Sequence, residues 1–192
     1  MDTESKIAQR PIFDEPISIN FEKYDTKDVY TLISVDQSRV LSEPDIETIT
    51  EICNQPLVYD FLFREKFKGR KYEYKDAEGF VKWAQEGWKN KTYFVFIIRN
   101  DKGEIVACSD IKSPNLDSAE IGYWASDKSS GVMTNAVKSL IGVAQKAGYK
   151  SLFGLVKPTN DKSSGVLNRN NFENVGLVTE DGEQYLKYFK EL

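Results

Sequence analysis

Histidine is absent from this 192-residue chain. That excludes Ser-His-Asp and Cys-His nucleophile systems, HExxH zinc sites and any imidazole general base. Chemistry must then come from carboxylates, hydroxyls, lysines, main-chain groups or a cofactor. Cysteine is scarce too: Cys53 and Cys108 are the only two, far apart, with no CxxC spacing. They read as buried apolar residues in a reducing compartment rather than as a disulfide, and no metal site is expected. No apolar run approaches the roughly 20 residues that a membrane-spanning helix needs. The opening Met-Asp-Thr-Glu-Ser-Lys carries no signal-peptide core, so a cytoplasmic protein without a membrane partner is the expectation. Excess positive charge is also missing. A formal net charge of −4 argues against nucleic acid as a partner, because sequence-independent binding needs a basic surface. Neither GxxxxGK[ST] nor GxGxxG occurs, which leaves little room for a nucleotide-dependent transferase.

What is present suits one globular domain over residues 1–192, with 40% hydrophobic and 29% charged residues. Residues 1–15 are polar, with Pro11, and read as a loose lead-in. Ile17–Phe21 alternates like a strand. Asp25–Asp28 then resembles a capped helix start, with Val29, Leu32 and Ile33 as its apolar positions. Pro44 in a first turn and Ile46, Ile49 and Ile52 on one face predict a helix over Glu43–Cys53. Leu57–Phe63 is ambiguous between helix and buried extended chain. Lys66–Lys75 reads as a charged loop, and Asp76–Trp88 as a helix with Phe80, Val81, Ala84 and Trp88 inward. The aromatic side chains of Phe80 and Trp83 are expected in the core; Tyr59, Phe61, Phe63, Trp83 and Trp88 are alternatively the lining of a substrate pocket.

From Tyr93 the pattern changes. Tyr93–Ile98 and Ile105–Ile111 are rich in aromatic and β-branched residues and flank Asn100-Asp101-Lys102-Gly103, a hairpin signature. A strand over Ala119–Trp124, a helix over Gly131–Ala147 stopped by Gly148, and a strand over Ser151–Val156 follow. A helix over Asp161–Arg169 and a hairpin of Leu177–Thr179 with Gln184–Phe189 complete the chain. This order predicts an α+β fold of mixed layers on one central sheet.

The unit that carries chemistry is the strand, tight loop and helix over Tyr123–Ala136. Lys128, Ser129, Ser130 and Gly131 stand where the strand turns into the helix. The first turn of a helix has N–H groups without internal partners and the positive end of the helix dipole, so it suits phosphate. By itself Ser-Ser-Gly before a helix is more often a cap and turn.

The stretch Ala119–Phe172 adds two signatures in order. The first joins Ala-Glu-Ile-Gly-Tyr-Trp at Ala119–Trp124 to Met-Thr-Asn-Ala-Val at Met133–Val137. The second is Pro158, Asn160, Ser163, Val166, Leu167 and Phe172 in the spacing Pro-x-Asn-x-x-Ser-x-x-Val-Leu-x-x-x-x-Phe. In these residues the chain resembles the GNAT superfamily of acetyl-CoA-dependent N-acetyltransferases, and within it the RimJ/RimL-like branch. The resemblance implies a mostly antiparallel central sheet with a parallel strand pair splayed at the cofactor, flanked by helices. It implies a cofactor-binding half over 93–192 and an acceptor-side half over 16–92.

The same resemblance implies residue roles. Trp124 and Ala125 would lie along the pantetheine arm. Lys128, Ser129, Ser130, Gly131 and Val132 would hold the pyrophosphate, with Asn160 and Ser163 near the thiol. Asn160 also reads as a helix N-cap. Glu120 is the candidate base for the amine proton, or else a strand residue paired with a lysine. Ser163 is the candidate proton donor to the thiolate, or else a cofactor contact alone. Two departures stand out: Ser129 replaces the family loop's first glycine, in a loop shorter than usual for the branch. Leu167 occupies the position where many relatives carry a tyrosine acid. A non-catalytic module that keeps the fold and binds coenzyme A or another partner is the rival reading. The resemblance implies a primary amine as acceptor, on a peptide N-terminus or a small molecule, and the chain is expected to be a monomer or a homodimer paired through Leu177–Phe189.

Overall fold

Alternating β-branched and aromatic stretches build the sheet, and 3.6-residue patterns build the helices that cover it. The structure, a computed structural model, describes residues 9–192. Strands β1 (Ser18–Glu22) and β2 (Val29–Ser34) open the chain as an antiparallel hairpin. The expected helix from Asp25 is therefore not formed. Thr26 and Asp28 bond each other's hydroxyl, carboxylate and main chain as turn residues, and Lys23 N–H closes the turn onto the Asp28 carbonyl. Val29, Thr31 and Ile33 are β-branched, and β2 is paired on both edges, which outweighs a local capping signal.

Three helices follow: α1 (Glu43–Cys53), α2 (Pro56–Leu62) and α3 (Tyr74–Asn90). The ambiguous Leu57–Phe63 segment is thus mostly helical. Ser42 and Asp45 cap α1 reciprocally, as Glu73 and Asp76 do α3, which starts two residues before Asp76. Gly87 in α3 lets the chain return close by, since a Cβ there would sit 2.5 Å from the Tyr93 carbonyl oxygen. Trp83 is a correction: it is 40% exposed, stacked on Tyr93 at the surface rather than buried. Phe80 is half-buried against the core under these helices.

Strands β3 (Phe94–Arg99), β4 (Ile105–Ile111) and β5 (Ala119–Ala125) form a meander. A short 3₁₀ turn at Asp127–Ser129 leads into α4 (Val132–Ala147). Then come β6 (Ser151–Val156), α5 (Asp161–Arg169), β7 (Glu173–Glu180) and β8 (Glu183–Glu191). The sheet order is β1-β2-β3-β4-β5-β6-β8-β7, and β5–β6 is the parallel pair. The fold is α+β, as the sequence predicts. One face carries a core with α4 and α5, the other a core with α1 to α3. The described part of the lead-in is anchored: Ile12 N–H reaches the Ala147 carbonyl, and the Phe13 ring packs on Trp88 and Phe94. The rest of that lead-in lies outside the described residues.

Candidate active site

The site begins with a break in the sheet. β5 and β6 pair only through Ala119–Leu152 and Glu120–Phe153, after which they part. On its other edge β5 stays in continuous register with β4 through Ala125. The Glu120 carbonyl and the Ser126 N–H both bond towards β4. Strand alternation therefore turns Trp124 towards β4 as well, and turns the N–H and C=O groups of Tyr123 and Ala125 into the gap. Of the expected pair Trp124–Ala125, it is Ala125 that presents main-chain groups to the opening. Trp124 buries its indole in the core under α1 to α3.

A cavity of about 700 Å³ opens from this gap, a size suited to a small-molecule site. One end reaches the start of α4. Gly131 caps that helix at φ +89°, a conformation that favours glycine, and a Cβ would lie 3.1 Å from Lys23 Cε and 3.2 Å from Asp25 Oδ1. Among the described residues, the N–H groups of Val132, Met133 and Thr134 meet no protein acceptor. The Ser129 N–H, by contrast, is spent on the Ser126 carbonyl, and the Lys128 N–H reaches the Ser126 hydroxyl at 3.3 Å. Ser130 is exposed and Ser129 half-buried in the cavity wall. A side chain at Ser129 is accommodated because the residue sits in the 3₁₀ turn without a positive φ.

Gln55 holds this turn from across the cavity. Its side-chain oxygen accepts the Asp127 N–H at 2.8 Å, and its amide nitrogen donates to the Ser126 hydroxyl at 3.3 Å. Arg169 stands on the other side of the α4 terminus. Its Nε donates to Thr134 Oγ1 at 3.0 Å and its guanidinium covers the Tyr24 ring at 5.6 Å. Among the described residues no carboxylate pairs with it within 4 Å. A free guanidinium beside free helix N–H groups is suited to a phosphate.

The second sequence signature lies across the gap. Asn160 caps α5, its side-chain oxygen accepting the Ser163 N–H at 3.1 Å, which leaves the amide nitrogen available. The Ser163 hydroxyl is 2.7 Å from the Tyr123 phenol oxygen, and that phenol also reaches the Ser163 carbonyl at 3.1 Å. Burial pushes the Tyr123 phenol up to about 12. Leu167 is fully buried against Gly154, where a Cβ would come within 3.0 Å of its side chain. The position where many relatives carry a tyrosine is thus core, while Tyr123 brings a phenol in from β5.

Glu120 borders the cavity but is bound to Lys112 in an ion pair at 2.5 Å. Asp110 lies next to it on the same sheet face, accepting the Gly122 N–H at 2.9 Å. Burial pushes the Asp110 carboxyl up, with the Lys112 ammonium and the Gly122 N–H working against it. Burial opposes the Lys112 charge, yet Asp110 and Glu120 hold that ammonium above its usual range. A Cβ on Gly122 would be 2.8 Å from both Asp110 Oδ1 and Lys112 Cε, so the glycine makes room for this cluster. Motif reading missed Gln55, Asp110, Lys112, Tyr123 and Arg169. Tyr123 alone carried a signal, standing inside the Gly-Tyr-Trp signature; the others are brought in by tertiary packing.

A split sheet whose open strand edge faces a free helix N-terminus across one cavity is the architecture that the acetyltransferase resemblance implies. Residues 39–173 match the family model described as acetyltransferase (GNAT) domain, and the chain belongs to that family. No curated protein matches the chain. Among solved structures it is similar to Mycobacterium smegmatis RimJ in complex with CoA-disulfide, at 18% identity and a TM-score of 0.71, covering 95% of this chain and 90% of that one. The microcin C7 self-immunity acetyltransferase MccE, in complex with acetyl-CoA and AMP, matches at 20% identity and a TM-score of 0.68 over 85% and 92% of the two chains. RimL, a ribosomal L7/L12 α-N-protein acetyltransferase in complex with coenzyme A, matches at 15% identity and 0.66 over 84% and 94%. At such identities the likeness is one of fold. Among the described residues no helix is long and apolar enough to cross a membrane.

Proposed function

We propose that this chain moves the acetyl group of acetyl-CoA to a primary amine, on a peptide N-terminus or a small molecule. The observation that carries this reading is the open edge of β5 at Tyr123 and Ala125, continuous with the free N–H groups of Val132 to Thr134. Acetyl-CoA bound there supplies an activated acetyl thioester. The N–H groups at the start of α4, Lys128, the Ser130 hydroxyl and Arg169 hold the pyrophosphate. Tyr123 and Ala125 give main-chain bonds to the pantetheine arm, and the Asn160 amide nitrogen adds a side-chain donor near the thiol. The Ala125 N–H is the candidate donor to the carbonyl oxygen as negative charge builds on it.

An attacking amine must shed a proton, and Glu120 on the cavity wall is the acceptor, directly or through water. Lys112 fixes the direction of that carboxylate through their ion pair. Ser163 gives a proton to the departing sulfur. Residues 93–192 supply most of the cofactor side, while α2, with Leu57, Phe61 and Leu62, walls the opposite side where an acceptor would enter.

The test is calorimetric titration with acetyl-CoA, followed by mass-spectrometric detection of acetylated products from a panel of peptides and small amines. Glu120→Gln is expected to leave acetyl-CoA affinity intact and to slow transfer about a hundredfold. Tight binding with no amine ever acetylated would favour the non-catalytic module, to which the Glu120–Lys112 pair lends weight. No binding at all would refute the reading.

A further inference from the structure

The contact between Tyr123 and Ser163 crosses the split in the sheet. Tyr123 sits on the open edge of β5, and Ser163 on the first turn of α5 beyond β6. Both line the cavity. A phenol has one proton to give, and here two acceptors are in reach: Ser163 Oγ at 2.7 Å and the Ser163 carbonyl at 3.1 Å. Two proton arrangements fit these distances. In one, the Tyr123 proton goes to the carbonyl and the Ser163 hydroxyl points back at the phenol oxygen. In the other, Tyr123 donates to Ser163 Oγ, and the serine proton is turned loose into the cavity.

We propose that Tyr123 is the positioning residue for proton delivery to the departing thiolate, acting through Ser163. This rests on the acetyl-transfer reading, which puts the sulfur at Ser163. An anionic sulfur is an acceptor, so it selects the arrangement in which the Ser163 proton faces it and Tyr123 backs the serine oxygen. The carbon–sulfur bond breaks with its electron pair going to sulfur. Ser163 Oγ–H gives its proton to that sulfur, and Tyr123 passes its own proton to the serine oxygen. The deficit ends on the phenol, which regains a proton from water at the cavity mouth.

A serine alone is a poor acid because its alkoxide is strongly basic. A phenol hydrogen-bonded behind it spreads the charge that develops on the serine oxygen. Burial keeps Tyr123 protonated through neutral pH, so the donor is loaded, and because burial also disfavours the phenolate the deficit there is short-lived. The positive end of the α5 dipole adds a favourable field for the anion, partly offset by Asp161 in the first turn. The buried Leu167 leaves no room for a phenol on the helix itself, which makes the one arriving from β5 the available backing group.

Binding can test this without any acceptor. Donors aimed at the sulfur favour thiolate over thiol, so coenzyme A should gain affinity over its desulfo analogue as pH rises towards the titration of a free thiol, at about 8.5. Calorimetry of both ligands across that range is expected to show the gain in the wild type. In Tyr123→Phe and in Ser163→Ala the gain, taken relative to each variant's own desulfo-coenzyme A affinity, should shrink by about tenfold. The double variant should be no worse than Ser163→Ala, because Tyr123 acts through the serine. A wild-type pH profile in Tyr123→Phe, alongside a flattened one in Ser163→Ala, would overturn the role of Tyr123. Failure of the wild type to bind either ligand would instead overturn the acetyl-transfer reading beneath it. Retained desulfo-coenzyme A binding in Tyr123→Phe also shows that the variant folds.

Discussion

Replacing Arg169 by glutamine isolates the electrostatic part of cofactor binding. The guanidinium sits at the end of α5, tied to α4 through Thr134 Oγ1, and faces the same cavity end as the free N–H groups of Val132 to Thr134. A hydrogen bond to a charged group contributes about 1.5–3 kcal/mol when well shielded. Arg169 is exposed, so solvent screening puts the effect at the lower end of that range, and about 1.4 kcal/mol is a factor of ten in affinity. Arg169→Gln should therefore weaken acetyl-CoA binding about tenfold and flatten its dependence on salt. The fold should hardly notice, because the variant gives up only one hydrogen bond and one cation–π contact, about 1 kcal/mol together. The assay is calorimetry at two salt concentrations, with acetyl-pantetheine, which lacks the pyrophosphate, as the second ligand. Equal affinity of variant and wild type for acetyl-CoA would refute the assignment. So would an equal loss for acetyl-pantetheine, which would point to a distorted cavity instead. Arg169→Gln is a better probe here than any Gly131 variant, because φ +89° and the packing of Lys23 and Asp25 make a side chain at Gly131 disruptive whatever it does to phosphate.

Two further predictions concern stability. Gly87→Ala forces a Cβ into the Tyr93 ring and carbonyl, an overpacking worth about 2–3 kcal/mol; at about 2–4 °C per kcal/mol for a chain of this size, the melting temperature should fall by roughly 5–10 °C in a thermal scan. Asp45 caps α1 and pairs with Arg99 at 2.7 Å; burial alone would raise its carboxyl, but the Arg99 guanidinium and the Ser42 donors hold it lower. Its folded value lies below the unfolded one, so its contribution is present above about pH 3.9 and lost as pH falls through the depressed value. The melting temperature of the wild type should accordingly exceed that of Asp45→Asn near neutral pH, and the gap should close in acid. A gap independent of pH would refute the role given to that carboxylate.

Where a helix is closed by its own sequence, the sequence shows it. Pro44 marks the start of α1, Asn160 and Asp161 that of α5, and Gly148 the end of α4; these boundaries coincide with the structure. Where two local signals compete, the longer-range partner decides. Asp25–Asp28 has the composition of a helix start, but β1 and β3 offer Val29–Ser34 a ladder on both edges. Trp83 illustrates another limit. Helical spacing puts it beside Phe80, yet Tyr93 covers its ring from outside the helix, and so it stays at the surface.

The site divides along the same line. Lys128 to Gly131 and the Asn160–Ser163 cap are contiguous and visible as motifs, whereas the groups that complete them come from elsewhere in the chain. Gln55 holds the loop from the start of α2, Lys23 packs on Gly131 from the first hairpin, and Tyr24 underlies Arg169. The turn at Asp25–Asp28 for this reason does more than close a hairpin. As a helix, residues 25–33 would be a separate element of the first half of the chain. As a hairpin turn, they bring Lys23, Tyr24 and Asp25 to the start of α4, where Asp25 stands against Gly131 and pairs with Lys23 at 3.4 Å. A carboxylate so near the start of α4 opposes an incoming phosphate unless the Lys23 ammonium holds it aside. On the phosphate-binding reading proposed above, the affinity of this loop for an anion is therefore set jointly by the motif and by a turn more than a hundred residues upstream.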